Sequence, residues 1–432
     1  MSPIVTLLAS FLGLILLRVP IAFALGLASL ATIMQLGLPL VSVVNQMFAS
    51  INSFPLLAVP FFLFLGRLMN DGGITDRLLG VADALVGHIR GGLGHINVAV
   101  SMMFASLSGS AAADTASIGA VLIPAMKKAG YPAPFSVAIT AASSTLGIVI
   151  PPSILMVIYG AFGNLSIGAL FLGGIVPGLL IGLSQMAYTY VVARRFDIIN
   201  PKRRSLPEMG SAVVRAVPPL ALPVVILGGI TGGIFTATEA AAIAVVFGLL
   251  LALVVYRHLK PRQLPGLLAE SVVAYSLPMF AVAAAGIMGW LISYLGIARE
   301  VSAFILGITA DPTGIFLLIV GFLLVIGTVL SPVTAVIIFL PIVQNLGTIA
   351  GLDQIHLGIV VVLSLALGLI TPPYGICLLI ASQIGDVSTP QAFLAVLPLV
   401  ALVLVIIVAG ILVPDLFLFL PRTFVPNAFP GG

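Results

Sequence analysis

Charge is what this chain has least of. Of its 432 residues only 7% are Asp, Glu, Lys or Arg, against 61% hydrophobic, and the mean hydropathy is +1.29. So few charged groups cannot cover the water-facing surface of a globular protein this size, which excludes a soluble fold. Cysteine occurs once, as Cys377, and that excludes a disulfide within the chain. The histidines are His88, His95, His258 and His356; the first three fall near one set of helix ends and the last near the other, so they do not form a zinc site. No Gly-rich loop carries a Walker lysine, and direct ATP hydrolysis has no support. The formal charge of +4 is spread over too few and too scattered residues for a nucleic-acid face. A multi-spanning membrane protein is left.

What the chain has in quantity is glycine and proline, 45 and 30 residues, which suits close-packed and interrupted membrane helices. Apolar segments predict ten spans near 2–17, 20–36, 56–70, 134–163, 169–192, 212–234, 236–256, 276–296, 356–385 and 390–412. Two more apolar stretches, 93–127 and 313–346, are interrupted midway by small polar residues and read as hairpins that enter the membrane and return. If both chain ends lie outside, every Lys and Arg except Arg299 and Arg422 falls in the cytoplasm, a strong positive-inside bias. The first hairpin then opens to the cytoplasm and the second to the outside. Amphipathic stretches near 41–53 and 262–274 read as lateral arms at opposite membrane faces.

The chain also contains itself twice. Gly147-Ile148-Val149-Ile150-Pro151-Pro152 aligns without a gap on Gly368-Leu369-Ile370-Thr371-Pro372-Pro373, 221 residues later. A proline pair in an apolar helix strips nearby carbonyls of helical donors, which is tolerated at membrane depth only beside a cavity or inside protein. Broken helices at matching positions of two halves are the best sequence pointer to a transporter's binding site. The expected organisation is an inverted repeat, 1–193 and 212–420, joined by a cytoplasmic connection at 194–211. In the first repeat, scaffold helices at 1–70 precede the hairpin 93–127 and the broken helix 134–163; in the second, scaffold helices at 212–296 precede the hairpin 313–346 and the broken helix 356–385.

The densest polar cluster inside apolar sequence is Ser106-Leu107-Ser108-Gly109-Ser110, followed by Asp114. Hydroxyls and exposed carbonyls are hard oxygen ligands suited to an alkali cation; small residues that merely let helices approach are the alternative. Asp114 is an ionisable group at membrane depth, a candidate site by default, and equally a cap for the helix that follows. The second hairpin offers Gly327-Thr328 and Ser331-Pro332-Val333-Thr334 as its tip. Glu239, after Thr236 at a helix start, reads as structural, and Trp290 with Arg299 as interfacial anchors.

Gly66-Arg67-Leu68-Met69, Ser108-Gly109-Ser110-Ala111-Ala112-Ala113-Asp114, Ile150-Pro151-Pro152-Ser153, Thr231-Gly232-Gly233-Ile234-Phe235-Thr236-Ala237-Thr238-Glu239 and Gly368-Leu369-Ile370-Thr371-Pro372-Pro373 closely resemble the large membrane subunit of tripartite ATP-independent periplasmic (TRAP) transporters, over nearly the whole chain. The resemblance implies an all-α polytopic protein of a bacterial inner membrane, not an enzyme. Its hairpins and broken helices would move as an elevator against a scaffold. It implies sodium-driven import of an organic acid, such as a C4-dicarboxylate or sialic acid, with a small four-helix membrane subunit and a periplasmic substrate-binding protein as partners. Expected sodium ligands are Ser106, Ser108 and Ser110 with Gly147, Ile150 and Pro151, and Gly327, Thr328 and Ser331 with Gly368, Thr371 and Pro372. Expected substrate contacts are Ser108, Gly109, Asp114, Ser153, Thr334 and Pro373. Many relatives have an acidic residue where this chain has Ser331, so a charge is missing beside the second cation site.

Three other readings stay open on residues alone. An autonomous sodium/dicarboxylate symporter would need no binding protein, and a passive channel would not concentrate its solute. An intramembrane protease would need a base or second carboxylate beside Ser108 or Asp114, and none is evident.

Overall fold

A computed structural model describes residues 2–195 and 204–429. Lys202 and Arg203, counted above among the cytoplasmic cations, lie outside the described residues. Among the described residues the regular structure is entirely helical. The first half comprises α1 (Pro3–Leu16), α2 (Ile21–Gln35), α3 (Val41–Ile51), α4 (Ala58–Asp71), α5 (Ile74–Val86), α6 (Gly92–Ser108), α7 (Ala111–Lys128), α8 (Ala133–Ser144), α9 (Ile154–Gly163) and α10 (Ile167–Val192). The second comprises α11 (Leu206–Thr231), α12 (Ala237–Leu250), α13 (Leu264–Tyr294), α14 (Ile297–Ile308), α15 (Pro312–Gly327), α16 (Pro332–Ile349), α17 (Gln354–Gly368), α18 (Ile376–Gly385), α19 (Thr389–Leu412) and α20 (Asp415–Phe424).

The repeat is visible in these bounds. Helices α7 and α16 are each 18 residues long and begin 221 residues apart, as do α8 and α17. Both expected hairpins are there, α6–α7 turning at Gly109 in the left-handed region (φ 62°) and α15–α16 turning over Thr328–Ser331. Both broken helices are there too, α8–α9 parted around Pro151-Pro152 and α17–α18 around Pro372-Pro373, with both proline pairs cis. Proline has no N–H and its ring clashes with the preceding turn, so neither helix runs through. The distal pieces, α9 and α18, end on Asn164 and Asp386 with φ 53°, residue types that tolerate the left-handed cap.

The broken helices form the centre of the molecule. Every residue from Phe135 to Ser144 and from Ile355 to Gly368 is buried, as expected of helices apolar all round. The halves interleave there: α18 packs on α7 and α8, α16 on α9, and α19 on α8. Around this core, α13 lies against α2, α3 and α4, and α4 against α12. Several of the polar groups that enter the core pair with one another. Asn97 of α6 donates to Thr140 Oγ1 of α8 at 2.6 Å, and Ser143 and Ser101 share a hydrogen bond at 2.9 Å. The outer face is apolar, with Val224, Leu277 and Phe304 all about 70% exposed, which fits a lipid surround rather than water.

The helices depart from the expected pattern in three places. Seven helical segments among the described residues are long and apolar enough to cross a membrane. Six coincide with expected spans; the seventh, Pro332–Ile349, is the second arm of a hairpin. Helices α1 and α2, at 14 and 15 residues, are only about 22 Å long at 1.5 Å per residue, and the two broken spans are divided. The stretch 262–274 is not a separate arm, because from Leu264 to Tyr294 the chain is one 31-residue helix. The equivalent region of the first half is interrupted at Asn52-Ser53 and by the Phe54–Leu57 turn with its Pro55. Helices α5, α14 and α20 are additional; they are too short and too polar to register as apolar runs. Glu239 is structural as read, its carboxylate closing a capping box with Thr236.

Candidate functional site

The two hairpin tips are held by the two helix breaks. At the first tip Ser110, in extended backbone, opens α7, and its N–H donates to Ser108 Oγ at 3.2 Å. The Ser108 hydroxyl in turn donates to Asp114 Oδ1. Asp114 is fully buried, and its other oxygen, Oδ2, has no hydrogen-bond partner among the described residues. A Cβ placed on Gly147 would come 2.5 Å from that oxygen and 3.1 Å from the Ala111 nitrogen. Position 147 must therefore be glycine for the break to close on the tip. A bare carboxylate oxygen in a dry interior is costly. With the Ser108 hydroxyl beside it, the donor set is all hard oxygen, which fits an alkali cation.

The second tip has the same closure with different chemistry. A Cβ on Gly368 would come 2.3 Å from the Gly327 carbonyl oxygen, so here too a glycine lets the break touch the tip. The Tyr374 N–H donates to the Thr328 carbonyl at 2.7 Å, tying the break to the hairpin. Ser331 caps α16 by accepting from the Thr334 N–H at 3.3 Å, and the Ser331 and Thr334 hydroxyls pair at 2.8 Å. No carboxylate is present: the residue standing where Asp114 stands in the first half is Ala335, fully buried. Hydroxyls and carbonyls fit a cation here as well, without a fixed negative charge.

Between the tips lies a cavity of about 440 Å³, within the range of small-molecule sites. Gly109 and Ser110 line it from the first tip, Ser331, Pro332 and Thr334 from the second, and Tyr374 from the break. Leu63 of α4 and Leu277 and Met279 of α13 supply the apolar wall. A second cavity of about 410 Å³ continues from it past the shared residues Leu63 and Ser110 to Arg67, Asn70 and Asp71.

Of the expected site residues, the structure brings Ser108, Asp114 and Gly147 together at one tip, and Gly327, Thr328, Ser331, Gly368 and Thr334 at the other. Others are spent locally. Ser106 donates to the Met103 carbonyl within α6. Thr371 does the same to Leu367 within the end of α17, at 2.7 Å. Ser153 is fully buried, donating to the Ile148 carbonyl at 2.6 Å and capping α9, away from the cavity. The Ile150 side chain packs on Gly178 of α10, Pro151 is buried within the break, and Pro372 and Pro373 sit outside the cavity wall. Tyr374 went unread, although it directly follows the second proline pair and its place beside that break was the signal that could have found it. Arg67 was read as a topological charge and within the Gly66-Arg67-Leu68-Met69 motif, but not as a lining residue of the site.

Residues 8–416 match the family described as "Tripartite ATP-independent periplasmic transporter, DctM component". The isethionate TRAP transporter permease protein DctMQ of Oleidesulfovibrio alaskensis is 39% identical over 97% of this chain, which spans 66% of that relative. The C4-dicarboxylate TRAP transporter large permease protein DctM of Pseudomonas aeruginosa is 39% identical over 92% of this chain and 94% of its own length. The sialic acid TRAP transporter large permease protein SiaM of Vibrio cholerae is 35% identical over 96% and 97%. In fold, the Alcanivorax borkumensis YdaH transporter superposes with a TM-score of 0.64 at 14% identity, covering 86% of each chain. The family's members are transporters rather than enzymes, and by the match over nearly its full length this multi-pass membrane chain belongs to the DctM component of the tripartite ATP-independent periplasmic transporters.

Proposed function

We propose that this chain is the permease of a sodium-driven importer of a small organic anion in a bacterial inner membrane. It works with a small membrane subunit and a periplasmic binding protein that delivers the substrate. The observation that carries the sodium reading is Asp114: a buried carboxylate with one unpartnered oxygen, clamped by Ser108 and Gly147 at a hairpin tip. Bound sodium would supply the positive charge that this carboxylate lacks a partner for, beside a cavity of the right size for an organic acid. The three relatives named above carry isethionate, C4-dicarboxylate and sialic acid in their names, all anions. That shared sign fits a site whose cations help to hold the substrate.

In this reading the repeats 1–193 and 212–420 run in opposite senses, and α6–α9 with α15–α18 move as one body against a scaffold of α1–α4 and α11–α13. Each break meets its own hairpin tip at a glycine, and both tips line one cavity, so ordering one tip around the substrate favours the other and the ligands bind cooperatively. The test is uptake into proteoliposomes holding the chain with its two partners, under an inward sodium gradient. Sodium-dependent accumulation in wild type is expected, with the sodium half-saturation of Asp114→Asn raised at least about tenfold, the worth of one charged hydrogen-bonding partner. Uptake indifferent to sodium, or an Asn variant with unchanged sodium dependence, would sink the reading; uptake without the binding protein would point to an autonomous symporter.

A further inference from the structure

The second cavity, the one reaching Arg67, has a property that the repeat makes conspicuous. Arg67 Nε donates to Asp71 Oδ2 at 3.2 Å, and its Nη2 donates to Glu270 at the start of α13. This triad has no equivalent in the other half. The positions 221 residues away are Met288 for Arg67, Ile292 for Asp71 and Ala49 for Glu270, and Met288 and Ile292 are almost fully buried in the core. Of the two related positions, one therefore carries a cation beside a cavity and the other is apolar core.

The charged path lies at the end of the molecule where the basic residues gather. Directly after α4, a Cβ on Gly73 would come 3.1 Å from the His258 ring, and the Arg77 guanidinium lies 3.6 Å over the Tyr256 ring. The positive-inside bias makes this the cytoplasmic end. Gly66, next to Arg67, touches Ser108 so closely that a Cβ there would be 3.0 Å from its Cα, so the guanidinium stands one helical step from the first tip. Arg67 also keeps donors in hand. Its Nη1 makes no bond among the described residues, and a guanidinium fork is built to take a second carboxylate or sulfonate in two-pronged fashion.

We infer that Arg67 is the cytoplasm-side ligand for the anionic group of the transported acid, receiving it from the tip cavity past Ser110 and exchanging Glu270 for it during release. Glu270 is then a competing internal anion rather than a staple. This rests on the transport reading above. The two roles give opposite predictions for Glu270→Gln: a competitor's loss tightens substrate binding from inside, whereas a staple's loss weakens the protein as Arg67 variants do.

The experiment is counterflow in proteoliposomes containing the complete complex, with internal and external substrate varied separately, using whichever of isethionate, a C4-dicarboxylate or sialic acid wild type accumulates. Arg67→Met, which installs the residue of the other half, is expected to raise the internal KM at least about tenfold and leave the external KM unchanged. Glu270→Gln is expected to lower the internal KM several-fold. An unchanged internal KM in Arg67→Met, or parallel losses on both faces in the two variants, overturns the inference. Should Arg67→Met fail to assemble, Glu270→Gln decides alone, since an internal KM that does not fall overturns it. A wild-type complex that carries none of the three acids in any sodium gradient overturns the transport reading and this inference with it.

Discussion

Two glycines do for this protein what no other residue type can. Gly147 leaves room for the bare oxygen of Asp114, and Gly368 for the Gly327 carbonyl; in each case a methyl group would have to displace a polar atom that the tip depends on. The neighbour at position 368 is backbone, which yields less readily than a carboxylate. Gly147→Ala and Gly368→Ala should therefore each lower thermal stability by about 1–3 kcal/mol, the cost of overpacking, with the larger loss at 368. Gly13, with nothing within 4 Å of its would-be Cβ, is the control; alanine there should be neutral or stabilising by about 0.5–1 kcal/mol. Melting curves of the purified protein read all three. A Gly368→Ala variant as stable as wild type would mean that the break and the tip are not in contact.

At the scale of elements, the tips differ in how their second helices start. Helix α16 has a side-chain cap in Ser331, whereas α7 starts at Ser110 with no side-chain cap bond. An N-cap bond is worth about 1 kcal/mol, and Ala in its place forfeits it while Asp retains it. Ser331→Ala should therefore speed amide exchange at Val333–Ala335 about fivefold, the factor that 1 kcal/mol represents, and Ser331→Asp should restore slow exchange while adding a negative charge at the tip. Hydrogen–deuterium exchange over this segment checks it, and equal rates in all three proteins would show that the cap does not hold the tip.

The same scale shows what sequence reading can reach. The breaks and hairpins were legible because proline pairs and polar clusters inside apolar runs have few structural outcomes, and because they occur twice. Helix α5 was not, since Asp76, Arg77 and Asp83 make it an amphipathic surface helix rather than a span. The continuity of α13 was hidden because only the first half has Asn52, Ser53 and Pro55 to interrupt it. The Arg67–Glu270 pair is 203 residues apart in sequence, a distance that no local pattern bridges. Ser153 was misplaced for a local reason: beside a helix break a serine serves first as the cap, and only the fold decides which hydroxyl is left over for a ligand.

At the scale of the whole molecule, the halves repeat but are not independent domains. Helix α18 fills the surface of α7 and α8, α16 that of α9, and α19 that of α8, while α4 leans on α12 and α13. Helix α18 packs along α7, the helix that carries Asp114, so even the first tip is completed by the second half. Either half alone would leave α8 or α17, buried along nearly all their length, without the helices of the other half that cover them, and TM helices associate by such packing rather than by hydrophobicity. Severing the chain within 194–211 and expressing 1–195 and 204–432 separately should therefore give two unstable fragments. Expressing them together should restore a complex that co-purifies and transports, because few of the contacts that matter cross the connection itself. The check is co-purification through a tag on one fragment, followed by reconstituted uptake. A first half that is stable and monodisperse by itself would show that the interleaved core is dispensable, and that the two repeats assemble as separately folded bodies.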